Sequence, residues 1–186
     1  MQKELSEAVL EQLDMDSLEF MELLVDLDLE NQGPLGLEFQ TEQWSAIRAE
    51  VMPLLEAHYQ EMPYDPRIPL SLDEHTYAAL EQMNRLLIVT GRAEGKLVGY
   101  FSAVLNRHLH YDILVAAMDV YFLLPEYRKG INGALLFKAF ESAMCERGVD
   151  LGLATARMDK SLGAHKIFEA LGWEHSRDVF QKRMKG

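Results

Sequence analysis

A short segment in the second half of the chain has the residues that bind a phosphate group. Arg128 and Lys129 supply two positive charges, and Gly130 and Gly133 allow the backbone to approach a ligand closely. An apolar run at helical spacing follows, so the first N–H groups of that helix have no backbone acceptor and can donate to an anion. The segment therefore predicts a diphosphate site on the amides of residues 130–134.

A strand must position this segment from its N-terminal side. Residues 120–124 form an apolar run rich in aromatic and β-branched side chains, and Pro125 cannot continue a central strand. We therefore expect the strand to end at Leu124 and to run directly into the loop before the helix. The two commonest phosphate-binding glycine motifs, G-x-x-x-x-G-K-[ST] and G-x-G-x-x-G, do not occur in the chain.

The segment resembles the acyl-CoA pyrophosphate loop of the GNAT N-acetyltransferase superfamily, which is usually Q/R-x-x-G-x-G/A before a leucine-rich helix. It departs from that form because Arg128 stands two residues before Gly130 instead of three, and Asn132 replaces the second small residue. A second motif, SLGAHKIFEALGW from Ser161, is similar to the family's N-x-x-A-x-x-x-Y-E-x-x-G-F helix. The resemblance covers roughly residues 36–186, and HLHY…MDVYFLLPEYRKG is most similar to phage or prophage members.

The resemblance implies an α/β fold in which a twisted, mixed and mostly antiparallel sheet is flanked by helices. Two of its strands would separate to admit the pantetheine arm of acetyl-CoA, the implied cofactor. The predicted cofactor contacts come from the strand end, the loop and the second motif: Leu123, Leu124, Arg128, Lys129, Gly130, Ile131, Asn132, Gly133, Ala134, Ser161 and Phe168.

The region before this strand is predicted to begin with a strand and two helices. Residues 37–40 favour a short strand, and Thr41 is a candidate N-cap for a helix that runs to about Met62. Ser71 and Glu74 form the capping-box pattern of the second helix.

A hairpin and further strands complete the predicted order. Residues 86–90 and 97–104 are predicted to form two paired strands joined by a turn at 93–96. Residues 151–156 favour a strand after the glycine-loop helix, and a final strand or two is expected from Trp173 onward.

An amine that attacks a thioester must first lose a proton, since a free amine with a pKa near ~10 is almost wholly protonated at neutral pH. Asp119 is the candidate base, because it precedes Leu123 by four residues and is expected on the same strand face. Family members commonly carry an acidic residue at about this place. Burial beside Met118, Val120 and Tyr121 is expected to make the carboxylate a stronger base. A carboxylate that merely pairs with a neighbour would explain Asp119 equally well.

The CoA thiolate that leaves in this reaction could receive a proton from an acidic side chain. The family's usual acid is a tyrosine in the second motif, where this chain has Phe168. Four side chains could supply the proton instead: Tyr111, Tyr121, Ser161 and His165. The thiolate could also leave unassisted, because a thiol pKa near ~8.5 makes it a tolerable leaving group. The resemblance further implies that a backbone N–H near Leu123 meets the oxyanion.

Two histidines and a tyrosine lie together in the loop before Asp112. His108 and His110 form an H-x-H pair, but no third ligand at a characteristic spacing accompanies them, so no metal site is predicted. With Tyr111 they are placed on the acceptor side of the site, as substrate-binding residues. The remaining histidines, His58 among them, are expected on the surface.

Negative charge is concentrated at the start of the chain. Residues 1–30 carry ten acidic side chains and one basic one, which is minus nine of the formal net charge of minus twelve. Their apolar residues recur at helical spacing and predict two short amphipathic helices. The chain is therefore divided into an acidic helical extension with its linker, 1–33, and an acetyltransferase domain, 34–186. Short isolated helices are marginal in water, so this extension is expected to dock on the domain, in a homodimer or on a partner protein.

Composition narrows the classes of function. The acidic extension lacks the clustered Lys and Arg that bind free nucleic acid. No apolar run reaches the ~20 residues of a membrane span, and no basic leader precedes the domain, so we expect a cytoplasmic protein. Cys145 is the only cysteine, which excludes an internal disulfide.

Two functions from different classes agree with the sequence. The first is a GNAT-type acyltransferase that moves an acetyl group directly from acetyl-CoA to an amine of a small molecule or protein. The second is a non-catalytic CoA-binding or protein-interaction module with a degenerate site, in which the missing tyrosine marks lost chemistry.

Overall fold

The computed structural model describes residues 37–61, 65, 67–128, 131–156, 162–177, 179, 181 and 182. The strands in this part of the chain are β1 Leu37–Thr41, β2 Leu86–Ala93, β3 Lys96–Arg107, β4 Leu114–Leu123 and β5 Leu151–Leu153. The α-helices are α1 Trp44–Glu61, α2 Glu74–Gln82, α3 Asn132–Glu146 and α4 Leu162–Ala170, and a 3-10 turn covers Pro125–Tyr127. The two helices predicted within residues 1–30 lie outside the described residues.

The five strands form one sheet in the order β1-β2-β3-β4-β5. The first four pair antiparallel with their neighbours, and β5 pairs parallel to β4. The parallel pairing runs only from Val115 with Leu151 to Ala117 with Leu153. β4 continues to Leu123 without a β5 partner, so the sheet opens between these two strands. This confirms the predicted mixed, mostly antiparallel sheet flanked by helices.

The predicted hairpin joins β2 to β3. Glu94 and Gly95 both have positive φ, at 49° and 80°, which is the conformation of a type I′ turn that matches the twist of the flanking strands. The strands extend further than the apolar alternation indicated, because Arg92 beside the turn is held by Glu42 and Glu50. Its guanidinium lies 2.7 Å from Glu42 Oε1 and 2.8 Å from Glu50 Oε2.

The core consists of two clusters on opposite faces of the sheet. On one face, Phe101 stacks on Phe140 of α3 with ring centroids 3.7 Å apart. On the other face, the buried stripe of α1 covers Tyr100 and Phe122. The stripe is the one expected from helical spacing: Trp44, Ile47, Val51, Leu54 and Leu55. Because successive side chains of a strand point to opposite faces, the strands contribute residues to both clusters.

Two predicted helix caps are wrong. Thr41 is the last residue of β1, where it pairs with Val89, and α1 begins only at Trp44. The N-cap of α2 is Asp73, whose carboxylate accepts from the Thr76 backbone N–H, and not a residue of the Ser71 capping box. A cap needs a particular backbone conformation at one residue, which residue types alone do not determine.

The end of the predicted order also differs. β5 stops at Leu153, and residues 173–177, 179, 181 and 182 contain no strand. The Trp173 indole packs instead edge-on against Phe137, with ring centroids 5.1 Å apart, and its Nε1 donates to Glu141. The Trp173 side chain, which had indicated a strand, therefore packs against α3 instead.

Close contact between β3 and the end of β4 depends on Gly99. A Cβ at this position would lie 2.9 Å from the Phe122 carbonyl oxygen, so we expect Gly99→Ala to push the strands apart and cost about 1–3 kcal/mol of stability. Gly91→Ala is the matched control, since its Cβ would meet only the Phe39 ring and, at 3.9 Å, the Gly99 carbonyl. Urea unfolding of both variants measures the difference, and equal losses would contradict this account.

Candidate active site

A β-bulge in β4 sets the direction of Asp119. Met118 and Val120 face consecutive residues of β3, which leaves Asp119 without a partner across the ladder. Its Oδ2 accepts a hydrogen bond from the Tyr77 hydroxyl of α2 at 3.0 Å. Tyr77 packs in the α1-side cluster, to which Val120 also belongs. Two consecutive residues, Asp119 and Val120, therefore point toward the same face.

The bulge overturns two expectations for Asp119. Phe122 lies on the α1 side with Val120, so alternation directs Leu123 to the other face, and the prediction that Asp119 shares a face with Leu123 is wrong. The expected burial is also wrong, because Asp119 is exposed. The proposed role of this carboxylate as a base stays a prediction.

The phenol that donates to Asp119 belongs to a cluster with other aromatic side chains. The Tyr77 ring lies 4.4 Å from that of Trp44. Burial raises the pKa of Tyr77, and the charge of Asp119 raises it further, so the phenol keeps its proton and acts as a donor. Tyr100, on β3, has a buried hydroxyl with no hydrogen-bond partner among the described residues, and burial raises its pKa as well.

His58 of α1 also belongs to this region and was missed in the sequence. It is half-buried, with its ring 5.1 Å from that of Phe122, so the expected surface position is wrong. Burial lowers the pKa of His58, and the nearby carboxylates of Glu61 and Asp119 oppose that shift. A signal was available, because His58 continues the buried stripe of α1 one turn beyond Leu54.

Arg128 holds the end of β4. Its Nε donates to the Leu123 carbonyl oxygen at 2.6 Å, and its two terminal nitrogens each lie 2.6 Å from a carboxylate oxygen of Glu61. The guanidinium carbon lies 5.2 Å from the centre of the Phe122 ring. The hydrogen bonds use three of the five guanidinium N–H donors, so a diphosphate would share Arg128 with Glu61, a residue that the sequence did not single out.

The backbone of Leu123 faces the opening between β4 and β5. The Leu124 N–H donates to Val98 of β3 at 2.9 Å, and neighbouring residues of a strand point their backbone groups to opposite edges. The N–H and the carbonyl group of Leu123 therefore both point away from β3. The carbonyl oxygen accepts a hydrogen bond from Arg128. No strand pairs with β4 at this level in the described residues, so the N–H can donate to a ligand.

The strand end, loop and helix follow each other as predicted. Lys129 and Gly130 lie outside the described residues, and α3 begins at Asn132 after Ile131, its N-cap. No side chain among the described residues caps the helix, so the N–H groups of Gly133 and Ala134 in its first turn can donate to an anion. Asn132 is only 2% exposed, and its Nδ2 donates to the Tyr127 carbonyl oxygen at 3.0 Å. An asparagine thus fits where the related motif has a small residue.

The next two residues of α3 lie against β4. The Tyr121 hydroxyl donates to the Gly133 carbonyl oxygen at 2.7 Å. Ala134 is completely buried. Burial raises the pKa of Tyr121, so this phenol is also a donor at neutral pH.

The second motif forms α4, and Ser161 lies outside the described residues, so its predicted roles stay predictions. Phe168 packs in the aromatic cluster, with its ring centre 4.9 Å from that of Phe137 and 6.0 Å from that of Trp173. The residue at the position of the related tyrosine is thus a packing residue on the α3 side of the sheet.

The structure does not bring the predicted substrate loop to this site. His108, His110 and Tyr111 are exposed beside the start of β4, with the rings of His108 and Tyr111 4.8 Å apart. At roughly 3.3 Å per residue, the length of β4 separates them from Leu123 by about 30 Å. No group of three or more His, Cys, Asp or Glu side chains within the described residues could hold a metal ion.

The lowered pKa of His58 predicts a pH dependence of stability. The unfolded chain, with a histidine pKa of about 6.5, takes up the proton before the folded one, so stability is lost as the pH falls below that value. We expect the melting temperature to fall more between about pH 7.5 and about pH 5.5 in the native protein than in His58→Gln. His75→Gln, at an exposed position of α2, is the control, and parallel curves for the native protein and His58→Gln would contradict the prediction.

None of the helices in the described ranges is long and apolar enough to cross a membrane.

No family model and no curated protein matches the sequence. Solved structures do match. An aminoglycoside acetyltransferase from an uncultured soil metagenomic sample has a TM-score of 0.64 and 14% identity over 80% of this chain and 97% of its own.

Two further structures extend the comparison. Ribosomal-protein-alanine N-acetyltransferase from Brucella melitensis biovar Abortus 2308 has a TM-score of 0.65 and 16% identity, covering 81% of this chain and 99% of its own. AAC(6')-Iy in complex with the bisubstrate analogue CoA-S-monomethyl-acetylneamine has a TM-score of 0.59 and 18% identity over 81% and 99%. At such identities the likeness concerns the fold, and the described chain therefore has the fold of GNAT acetyltransferases.

Proposed function

We propose that this protein is an acetyl-CoA-dependent N-acetyltransferase that passes the acetyl group directly from CoA to an amine. The observation that carries the proposal is the order of groups along β4. Three groups follow one another beside the opening of the sheet: the exposed Asp119 carboxylate, the Leu123 N–H that no described strand pairs, and the N-terminus of α3, which no described side chain caps. The CoA bisubstrate analogue bound by a protein of the same fold supports a CoA-type cofactor.

The proposed reaction begins with the acceptor. Its ammonium group binds near Asp119 and gives a proton to the carboxylate, directly or through water. The neutral amine attacks the thioester carbonyl carbon, forming a C–N bond, and the developing oxyanion accepts a hydrogen bond from the Leu123 N–H. The attacking nitrogen gives its remaining extra proton to water, and collapse of the intermediate then breaks the C–S bond and releases the CoA thiolate and the neutral acetylated amine. The α3 amides hold the diphosphate, so cofactor orientation supplies a large part of the rate.

The thiolate leaves without a proton from the second motif in this proposal. Phe168 has no proton to give, and it lies in the aromatic cluster. Tyr111 is remote from the opening, at the other end of β4. A thiol pKa near ~8.5 makes unassisted departure of the thiolate acceptable. Ser161 keeps its predicted role as a hydroxyl that bonds the pantetheine arm.

The acceptor in this proposal is a primary amine of a small molecule or a protein. An exposed carboxylate held in place by the Tyr77 hydroxyl suits a cationic group that must be bound and then deprotonated. Proteins of this fold include enzymes for both kinds of acceptor, an aminoglycoside acetyltransferase and a ribosomal-protein-alanine N-acetyltransferase. We further propose that the protein is cytoplasmic and of phage origin, and that residues 1–33 dock on a second copy of the chain or on a partner protein.

Asp119→Asn tests the base. We expect kcat to fall by about 10²–10⁴-fold while the CoA affinity is unchanged, because the carboxylate acts on the amine and not on the cofactor. Acetyl-CoA turnover against a panel of amines and calorimetry with CoA measure the two quantities. Asp112→Asn is the matched control, since this exposed carboxylate lies in the loop at the far end of β4.

Two outcomes would contradict the assignment. Equal loss of turnover and CoA affinity in Asp119→Asn would make this residue structural. A native protein that binds CoA but acetylates no amine in the panel would instead be the non-catalytic module.

Tyr77→Phe tests how the base is held. The variant loses the hydrogen bond to Asp119, and a net loss of about 1.5 kcal/mol in the transition state corresponds to about a tenfold drop in kcat. The acetyl-CoA KM should not change. If Tyr77 acts through Asp119, adding Tyr77→Phe to Asp119→Asn should produce no further loss of kcat. Additive losses of kcat would show that the two residues act independently.

A further inference from the structure

Gly133 lies where a side chain would collide with Tyr121. A Cβ at this residue would stand 2.8 Å from the Tyr121 hydroxyl oxygen, which is closer than non-bonded atoms normally approach. Apart from its own helix backbone, the only other described atom within 4 Å is Ile167 Cδ1, at the ordinary contact distance of 3.5 Å. A single oxygen atom therefore excludes a side chain from this position.

The Tyr121 ring cannot easily move away from this contact. It packs between aromatic side chains of the α3-side cluster, 5.1 Å from Phe101 and 5.9 Å from Phe137 between ring centres. Its hydroxyl donates to the Gly133 carbonyl oxygen at 2.7 Å, which joins β4 to the first turn of α3. The same atom thus makes a hydrogen bond with Gly133 and leaves no room for a methyl group there.

The cofactor does not by itself explain this glycine. In the resemblance described above, the second small residue of the loop corresponds to Asn132, which has a buried side chain in this protein. Gly133 is the next residue, inside the helix, where glycine is unfavourable by roughly 1 kcal/mol relative to alanine. A glycine at such a place indicates a steric requirement.

We infer that Gly133 is required by Tyr121, and that Tyr121 is a positioning residue that fixes the first turn of α3 and not the acid that protonates the CoA thiolate. Use as an acid would break the bond to Gly133 and leave a phenolate in a buried, apolar site. As a positioning residue, Tyr121 aligns the amides that receive the diphosphate. This last step rests on the proposed function, while the steric pair itself does not.

The inference connects the two halves of the site. Tyr121 and Asp119 are two residues apart on β4 and point to opposite faces, one toward α3 and the other toward α2. A shift of this strand would move the base and the diphosphate site together.

A double-mutant cycle in the full chain tests the pair. Gly133→Ala alone should lower the melting temperature by about 3 °C or more and weaken CoA binding by about tenfold, because the new methyl group meets the hydroxyl. Tyr121→Phe removes that oxygen. In this background Gly133→Ala should cause no further loss of melting temperature or of CoA affinity, since alanine is the better helix residue.

The same variants separate a positioning role from an acid. Tyr121→Phe should weaken CoA binding severalfold while kcat at saturating acetyl-CoA and its pH profile are unchanged. A fall in kcat with CoA affinity intact, or loss of the alkaline limb of the pH profile, would make Tyr121 the acid and overturn the inference.

Equal losses from Gly133→Ala in both backgrounds would also overturn it, because the backbone or the ligand would then require the glycine. Failure of the proposed function would look different: the native protein would not bind CoA or would acetylate no amine, while the melting temperatures would still report on the steric pair.

Discussion

In the described part of the chain, β4 has no strand partner on its β5 side beyond Ala117, and the proposed site uses that edge. A backbone group inside a protein needs a hydrogen-bond partner, or it costs stability. At Leu123 the carbonyl oxygen receives Arg128, whereas the N–H faces the opening. The donor that the proposed chemistry needs is therefore a group that the sheet itself would otherwise have paired.

The bulge at Asp119 has the second decisive effect. It removes one residue from the ladder with β3, which is locally unfavourable, and turns the Asp119 carboxylate toward α2. The Tyr77 hydroxyl then gives this carboxylate a fixed partner, and the Trp44 ring supports Tyr77. A regular strand would have pointed the carboxylate toward α3, into the aromatic cluster, where an ionised group would be costly to bury.

The two faces of the sheet have different tasks. The α3 side is an aromatic cluster that includes Phe101, Phe137 and Phe168, and its rigidity fixes the helix whose N-terminus is proposed to bind the cofactor. The α1 side carries the polar groups around Asp119, together with His58 and the Glu61 carboxylate that holds Arg128. Because β4 contributes to both faces, it aligns the proposed base with the proposed cofactor site.

Local patterns in the sequence determined the elements that depend on neighbours along the chain. The strand before Pro125, the apolar stripe of α1 and the turn at Gly95 follow from periodicity and from the conformations that particular residues allow. These signals predicted the order of strand, loop and helix, and the family resemblance implied the mixed sheet. Among the helices and strands, local patterns were misleading at caps and strand ends, where one residue's backbone conformation decides.

The tertiary structure decided the contacts between residues far apart in the chain. Tyr77 and Asp119 are 42 positions apart, and Glu61 and Arg128 are 67 positions apart, so no local pattern contains either pair. The bulge likewise depends on how β4 is registered against β3, and the exposure of Asp119 follows from it. Side-chain direction and burial are set by packing across the sheet, which is why the sequence indicated the candidate residues but not their partners.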